Sequence, residues 1–378
     1  MIRREDFYTI LEDTMNTYFR LVRNADAAFS YEEGRGEKLI INAKFGFISR
    51  FPAPRGLLTF LNGEYNIRGS FVKYLAGHAA ASLAWAFPQF GQTRTCRIAE
   101  GALGKNEFIY PQNRSVRIFD YASGQVDCIV KSGFSDYYFK NQLKFRLTHQ
   151  YDFMVPLSAH GDSWFREPIL DGHPLARTKN EKAYQKGLAD AMRGIRALAA
   201  DTRSEIAASD YAKALLADIE PKLRRAAAEK QIQYGESLLE AAKSAAEILS
   251  LGGTVELCLS HGDFQSGNIW VDRSGKTYIY DWETVGRRSV WYDSAVLNYS
   301  LRRAYGWKSL LECAAPEAMR ACEQNKQGEP NYAAMKSAVL LEDILFYLDD
   351  LLELPKDFGR EIFDAFAERI VKLWNEEC

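Results

Sequence analysis

Residues 257–293 read LCLSHGDFQSGNIWVDRSGKTYIYDWETVGRRSVWYD, and this stretch decides the fold. It contains three short apolar runs, at residues 257–259, 269–271 and 278–280. Polar segments rich in Gly, Asp and Ser separate them, a pattern typical of small strands, and the last two runs predict a hairpin. Asp263, Asn268 and Asp281 therefore fall in loops or at strand ends, where chemistry is usually carried.

These three polar side chains would surround one cavity if the predicted hairpin closes. Two carboxylates and an amide carbonyl are hard oxygen donors, which suit Mg²⁺ better than zinc. Asp263 could instead orient an acceptor hydroxyl and take its proton. Phosphoryl transfer divides the labour in this way, with one Asp as the base and Asn268 and Asp281 holding the metal.

Composition describes an ordinary soluble protein, with 378 residues and a formal net charge of −2. This length allows two domains or one large bilobal domain. The near-neutral net charge does not indicate the basic surface of a nucleic-acid-binding protein or a polybasic segment that would bind a membrane. We expect no secretion signal, because acids interrupt residues 1–13, and no apolar run approaches the ~20 residues of a membrane span. Six scattered cysteines without metal-ligand spacing favour reduced thiols and a cytoplasmic location.

The first hundred residues carry no motif with mechanistic meaning. Helices are expected at 3–24 and 70–85, the second mostly buried, and a β-like run within 38–51. We interpret residues 1–105 as an N-terminal structural extension, with a substrate-specificity element as the alternative.

From residue 106 the pattern changes to strands and later to helices. Strands are expected at 108–110, 116–119, 126–130, 153–157 and 164–166, with a helix at 135–150. Lys131 follows the third of these strands, and an extended connector begins at Glu167. Amphipathic helices are expected at 180–200, 209–230 (broken or kinked at Pro221), 234–249 and within 310–376.

His261-Gly262-Asp263 with Asn268 resembles the HGDxxxxN catalytic loop of the aminoglycoside phosphotransferase and choline kinase superfamily. Residues 280–283, YDWE, resemble the "IDWE" metal-binding motif of that superfamily, and residues 291–295, WYDSA, match its "YDxA" segment. The combined pattern fixes three spacings over about thirty residues, whereas a lone HGD would carry little information.

The resemblance implies an α+β, bilobal protein-kinase-like fold. It implies a small β-rich N-lobe at 106–169 that binds the nucleotide and a larger helical C-lobe at 170–378 that is catalytic and binds the acceptor. It further implies that Lys131 pairs with the α- and β-phosphates of ATP or GTP. Backbone groups of Glu167 to Ile169 would bind the purine, and Asn113 and Ser115, with Arg114, would offer donors to the phosphates.

The resemblance also assigns supporting roles and leaves two gaps. By it His261 is structural, and we expect Asp293 to brace the catalytic loop through backbone hydrogen bonds. The superfamily usually has a helix Glu that holds the strand lysine, but residues 135–150 contain none, so Asp136, Gln142 or Gln150 substitutes or the pair is absent. The phosphate-covering loop at 111–115 is not glycine-rich, so side-chain donors would replace the close backbone approach that glycine allows.

These observations predict Mg²⁺-dependent transfer of the γ-phosphoryl group of ATP or GTP to a hydroxyl of a small molecule. The acceptor class stays open among an aminoglycoside, a sugar, an amino alcohol and a glycan precursor. The alternative is a nucleotide-binding pseudokinase or regulatory binding protein without turnover. A protein kinase is disfavoured, since residues 282–292 are too few for a peptide-docking segment.

Two further groups of residues have a structural and a functional interpretation. The acids Glu342, Asp343, Asp349, Asp350 and Glu353 could bind a polycation, but a solvated helix face is the favoured interpretation. Trp282, Trp291 and Trp307 could cage a quaternary ammonium group, but core packing is favoured for each.

Overall fold

A computed structural model describes residues 7–25, 29–31, 36–64, 71–90, 92–312, 332–355 and 358–377. The chain divides into two compact units. Unit 1 takes residues 1–188 and 269–280, and unit 2 takes residues 189–268 and 281–378. These limits differ from the expected boundaries at 105 and 169, and the predicted functional division at those two points stays a prediction.

A nine-stranded antiparallel sheet is the centre of unit 1, with strand order β1-β4-β2-β3-β5-β6-β7-β9-β8. The strands are β1 Phe29–Ser30, β2 Glu37–Asn42, β3 Phe47–Ser49, β4 Gln92–Ile98, β5 Glu107–Pro111, β6 Ser115–Asp120, β7 Gln125–Val130, β8 Ala159–His160 and β9 Trp164–Pro168. The strands of the N-terminal extension join the later ones where Ile48 of β3 pairs with Ile109 of β5. The first hundred residues are therefore built into the same sheet as the strands expected to bind nucleotide.

Helices cover unit 1 on both faces of this sheet. They are α1 Phe7–Val22, α2 Arg55–Glu64, α3 Phe71–Ala86 and α4 Tyr137–Thr148. Successive strand residues point to opposite faces. Ile109 accordingly packs with Leu11 and Tyr18 of α1, while its neighbour Phe108 packs with Leu57 of α2.

Two expectations for unit 1 are wrong. Helix α3 forms, but it is not mostly buried, because Val72 is 75% exposed and Leu75 is 51% exposed. No strand forms over 153–157, where Met154 makes only an isolated bridge to Ile279. Pro156 lacks the N–H that a ladder needs, and β8 forms three residues later.

The predicted hairpin is confirmed, and it belongs to unit 1. Strands β13 Ile269–Asp272 and β14 Thr277–Ile279 pair antiparallel, and β10 Gly172–Pro174 adds a third strand beside β13. The carboxylate of Asp272 closes the turn by accepting from Ser274 Oγ at 2.6 Å and from the backbone N–H of Lys276 at 2.9 Å.

Unit 2 is mainly helical. Helix α5 Glu181–Thr202 enters it and is followed by α6 Ala208–Lys230, α7 Gly235–Ser250, α8 Tyr292–Asn298, α9 Gly306–Glu312, α10 Tyr332–Leu352 and α11 Arg360–Glu377. Three strands, β11 Ser204–Ala207, β12 Thr254–Ser260 and β15 Gly286–Ser289, form a small sheet with β12 in the centre.

One core holds unit 2 together, made of the alanine- and leucine-rich faces of α6, α7 and α10. The predicted helices at 209–230 and 234–249 are confirmed, and α6 runs through Pro221 as one helix. The helical prediction for 310–376 falls partly outside the described residues, at 313–331 and 356–357.

A β-rich unit and a helical unit, with the strand order β5-β6-β7, helix α4 and then β8-β9, make the predicted α+β protein-kinase-like class. Among the helices of the described residues, none has the length and apolarity to cross a membrane.

Candidate active site

The catalytic loop of unit 2 begins where β12 ends, and Asp293 at the start of α8 holds it. The Asp293 carboxylate accepts from Ser260 Oγ at 2.8 Å, from His261 N at 2.7 Å and from Gly262 N at 3.0 Å. Three donors on one buried carboxylate fix the entry of the loop, since each such charge-assisted bond is stronger than a neutral one. This is the bracing arrangement expected from the sequence.

Gly262 is required at its position for two independent reasons. Its φ of +86° is in the left-handed region that favours glycine. A Cβ atom there would lie 2.5 Å from the backbone oxygen of Thr284. The loop can therefore turn toward Asp263 only because this residue has no side chain.

His261 is fully buried and stabilises the loop. Its carbonyl accepts from Thr284 Oγ1 at 2.9 Å, and its ring lies 4.6 Å from the ring of the buried Trp282. A side chain enclosed in this way has a packing role, as the sequence suggested.

The Asp263 carboxylate is surrounded by donors. Oδ1 accepts from Arg302 Nε at 2.9 Å, and Oδ2 accepts from Gln265 Nε2 at 2.9 Å and from Asn268 Nδ2 at 3.0 Å. Burial alone would raise the pKa of Asp263, but the Arg302 guanidinium and the Gln265 hydrogen bond together lower it below its usual range. Asp263 is consequently ionised at neutral pH.

Arg302 connects Asp263 to a second buried carboxylate, Asp343 of α10. Its Nη1 donates to Asp343 Oδ1 at 2.6 Å, and its Nη2 donates to the carbonyl of Gly262 and the hydroxyl of Tyr292, both at 2.9 Å. Trp307 Nε1 donates to the other Asp343 oxygen at 3.0 Å. One guanidinium thus pairs with two carboxylates and ties the catalytic loop to the helical core.

Asn268 and Asp281, the candidate metal ligands, both belong to unit 2. The Asn268 amide nitrogen donates to the backbone oxygen and to the carboxylate of Asp263, at 2.9 and 3.0 Å, so its carbonyl oxygen is the end directed away from Asp263. Asp281 has a left-handed backbone, with φ 69° and ψ 53°, directly before the short 3-10 helix Trp282–Thr284. A carboxylate and an amide oxygen are donors that fit Mg²⁺.

Unit 1 contains a cavity of about 490 Å³, a size typical of small-molecule sites. The sheet contributes aromatic side chains, the connector after β9 contributes backbone, and both α2 and the β13–β14 hairpin border it. The lining includes Phe60, Tyr110, Arg117, Phe119, Tyr121, Val126, Glu167, Ile169, Trp270 and Tyr280. The predicted purine-binding connector, Glu167 to Ile169, therefore lies at this cavity.

Other hydrogen bonds already use parts of these two residues. The backbone N–H of Ile169 donates to the carbonyl of Gly124 at 2.8 Å. The Glu167 carboxylate accepts from Arg146 Nη2 at 2.7 Å and lies 3.8 Å from Arg117 Nη1. Neither contact was expected from the sequence.

The remaining nucleotide-binding candidates lie at the ends of β6 and β7. Asn113 is exposed in the turn before β6, where Ser115 Oγ donates to Gln112 Oε1 at 3.1 Å. Lys131 is 2% exposed, and its backbone N–H donates to the carbonyl of Arg114 at 3.0 Å. Asp136, one proposed substitute for the helix Glu, pairs instead with Lys140 at 2.6 Å.

Comparison with known proteins bears on the segment that contains this loop. Residues 153–333 match the sequence profile described as the phosphotransferase enzyme family. The resemblance found from the HGD and DWE motifs is thereby confirmed, and the match supports an enzyme of the phosphotransferase class.

Solved structures of similar fold share little sequence with the chain. An aminoglycoside phosphotransferase APH(4)-Ia, in complex with ADP and hygromycin B, is 14% identical over 71% of this chain and 93% of its own, with a TM-score of 0.47. The ethanolamine kinase of Plasmodium vivax is 11% identical over 81% and 92%, with a TM-score of 0.48. The choline kinase LicA of Streptococcus pneumoniae is 16% identical over 73% and 92%, with a TM-score of 0.41. No curated protein sequence matches the chain.

The acids of α10 correct one expectation. Glu342 is 2% exposed and Asp343 is 0% exposed, so neither belongs to a solvated helix face. Glu342 accepts from Tyr211 Oη at 2.6 Å and from Ser289 Oγ at 2.8 Å. The signal in the sequence was their position within the apolar run AVLLEDIL, where a buried acid needs partners.

The family motif did not predict Arg302, although it contacts the candidate catalytic residue. Arg302 lies 39 residues after Asp263, between α8 and α9, and no spacing rule connects the two. Trp282 and Trp307 are buried in the core as expected, with exposed fractions of 1% and 0%, while Trp291 is partly buried against it.

Proposed function

We propose that the protein is a Mg²⁺-dependent small-molecule kinase that moves the γ-phosphoryl group of ATP or GTP to a hydroxyl group. The observation that carries this proposal is the ionised Asp263, held by Arg302, Gln265 and Asn268. A carboxylate fixed in this way is suited to accept a hydrogen bond from an acceptor hydroxyl and to receive its proton as the oxygen attacks.

Asn268 and Asp281 would hold the metal through their side-chain oxygens. Mg²⁺, when bound, would neutralise the phosphate charge that develops during transfer. Because Asn268 also donates to Asp263, the same amide group would position the Asp263 carboxylate through its nitrogen and bind the metal through its oxygen. Catalysis of this kind depends on positioning and electrostatics rather than on covalent steps by the protein.

We assign the nucleotide to the cavity of unit 1. Aromatic and aliphatic side chains such as Tyr110, Phe119 and Val126 can pack against a purine, and the connector at Glu167 to Ile169 supplies backbone groups at the same cavity. Asn113 and Ser115, in and beside the turn before β6, remain the proposed donors to the phosphates. A cytoplasmic location fits ATP or GTP as donor.

A pseudokinase is the second candidate, and helix α4 provides the observation that favours it. Its sequence, YYFKNQLKFRLT, contains no acid that could hold a strand lysine. The intact set of Asp263, Asn268 and Asp281 argues for turnover.

The test is a screen of Mg-ATP and Mg-GTP against a panel of aminoglycosides, sugars, amino alcohols and glycan precursors, following phosphate incorporation. Asp263→Ala should lower any positive rate by at least about 100-fold, the typical contribution of a positioned acid or base. Asp218→Ala, which removes an exposed acid of α6, is the matched control and should leave the rate unchanged. Full activity of Asp263→Ala would refute the mechanism, and nucleotide binding without turnover of any acceptor would favour the pseudokinase.

A further inference from the structure

The two faces of β7 carry different chemistry. Asp127 accepts from Tyr18 Oη of α1 at 2.7 Å, and Ile129 packs into the α1 cluster. Val126 lines the cavity on the opposite face. Since strand side chains alternate with a period of two, Lys131 falls on the face of Asp127 and Ile129 rather than on that of Val126.

Neighbouring contacts support this placement of Lys131. Its backbone pairs with β6 through Arg114, so the extended conformation continues past the end of β7. The next residue, Ser132, donates its backbone N–H to Thr14 Oγ1 of α1 at 2.9 Å. The Val126 face of β7 continues with Cys128 and Val130, and neither side chain is a cation. Burial raises the pKa of the Cys128 thiol to about 11, so this position has no charge at neutral pH.

Arg117 of β6 lies opposite Cys128 in the strand register and lines the cavity. Among the described residues that line it, Arg117 and Arg273 are the cations. The Arg273 side chain is 76% exposed and pairs with Asp171, whereas that of Arg117 is 19% exposed. A partly enclosed guanidinium interacts with an anion more strongly than a solvated one, because less water screens the pair.

Glu167 of β9 provides the carboxylate that holds this guanidinium. Its Oε1 lies 3.8 Å from Arg117 Nη1, and its Oε2 accepts from Arg146 Nη2 at 2.7 Å. Arg146 comes from α4 and also donates to the carbonyl of Val155 at 2.7 Å. The cluster places two guanidinium groups around one carboxylate. Of the two, Arg117 lines the cavity, and the planar fork of a guanidinium matches the geometry of a phosphate.

We propose that Arg117, positioned by Glu167, binds the α- and β-phosphates of the nucleotide in place of a strand lysine. In this arrangement the usual pair of strand lysine and helix glutamate is replaced by an arginine from β6 and a glutamate from β9, with Arg146 taking the helix position. The inference rests on the proposed function in one respect, that the cavity of unit 1 binds a nucleotide.

Calorimetric titration with ATP, ADP and adenosine tests it, because adenosine lacks the phosphates. Arg117→Ala should weaken ATP and ADP binding by about 10- to 100-fold, the loss of a charge-assisted contact, and should leave adenosine binding within about twofold. Lys131→Ala should bind all three ligands as wild type does. Arg225→Ala, which removes an exposed arginine of α6, controls for the change in net charge.

Two further variants keep the test informative if Arg117→Ala fails to fold. Arg117→Gln retains most of the packing and should show the same selective loss of ATP over adenosine, while Arg117→Lys should recover part of it. Glu167→Gln should weaken ATP more than adenosine, since its effect acts through the orientation of Arg117. An equal loss of both ligands in that variant would indicate a merely structural role.

Three outcomes overturn the inference. ATP binding is unchanged in Arg117→Gln, or that variant loses adenosine binding to the same extent as ATP binding, or Lys131→Ala alone loses ATP binding selectively. A wild-type chain that binds neither ATP nor GTP overturns both the inference and the proposed function. A chain whose ATP binding depends on Arg117 but which phosphorylates no acceptor upholds the inference and overturns the proposed function only.

Discussion

Replacing Arg302 with Ala removes the cation between Asp263 and Asp343. Four hydrogen bonds are lost, to Asp263, Asp343, Gly262 and Tyr292. The carboxylates of Asp263 and Asp343 then lose the cation that both of them contact. Breaking a buried ion pair in this way lowers the free energy of unfolding by about 3–5 kcal/mol. For a protein of 378 residues, with an unfolding entropy of about 2.1 cal/mol/K per residue, the melting temperature should fall by roughly 4–6 °C.

The same substitution should change the pH dependence of activity. In the wild type the lowered pKa of Asp263 contributes stability at pH above about 4, and this contribution is lost as acidification protonates the carboxylate. Without Arg302, burial becomes the dominant influence and raises the pKa of Asp263. The acid limb of kcat/KM should therefore move to higher pH in Arg302→Ala.

The assay is a pH profile of kcat/KM together with thermal melts on Arg302→Ala and three further variants. Arg302→Lys keeps the charge and should retain an acid limb close to that of the wild type, with intermediate stability. Arg303→Ala removes the exposed neighbouring arginine and is the matched control. Adding Asp343→Asn to Arg302→Ala should recover part of the stability, because one uncompensated charge is then removed. An unchanged acid limb and melting temperature in Arg302→Ala would refute the reasoning.

Three other predictions concern unit 2. Gly262→Ala should lose about 1–3 kcal/mol of stability in denaturant unfolding and most of its turnover, because φ is +86° and the new Cβ would clash with the backbone oxygen of Thr284. A wild-type kcat in that variant would contradict the assignment. Asp293→Asn should lower the free energy of unfolding by roughly 3 kcal/mol in the same assay, since one amide oxygen cannot accept from all three donors that the carboxylate satisfies. A loss below about 0.5 kcal/mol would count against the bracing role of Asp293. Burial raises the pKa of Glu342 to about 7, so the free energy of unfolding of the wild type should fall by roughly 3 kcal/mol as pH rises from 4.5 through 7. Glu342→Gln should flatten this pH dependence. Parallel pH dependences for the two proteins would show that Glu342 titrates normally.

Local patterns were sufficient to predict the catalytic loop and its hairpin. Short apolar runs punctuated by Gly and Asp determine where β12, β13 and β14 begin and end, and these features depend on near neighbours in the chain. The three spacings among Asp263, Asn268 and Asp281 then pointed to the phosphotransferase family, which the match over residues 153–333 bears out.

Contacts between distant parts of the chain were not predictable in this way. Arg302 reaches Asp263 across 39 residues, and Arg146 reaches Glu167 across 21, through tertiary packing that has no period in the sequence. The burial of Glu342 and Asp343 was missed for the same reason, because the partners that make it tolerable lie on other elements. A single sequence shows that an acid interrupts an apolar run, but it does not show which donor meets it.

The sheet pairing was also hidden. Strands β2 and β4 are joined through two helices, and the extension meets β5 through a single pair at Ile48 and Ile109. Strand partners with long connections are selected by the packing of whole faces, and no local turn signal marks them.

Unit 1 is built from two separate segments of the chain, and this has a consequence for folding during synthesis. Strand β10 obtains its partner β13 only when residues 269–272 have been made, roughly 80 residues after Leu188. At about 5–20 residues per second, the ribosome needs roughly 4–16 s to reach that point. Helices α6 and α7 are complete during this interval, while β10 still lacks its partner β13. Nascent chains stalled between 188 and 268 should therefore be the species most exposed to edge-to-edge aggregation and most dependent on chaperones.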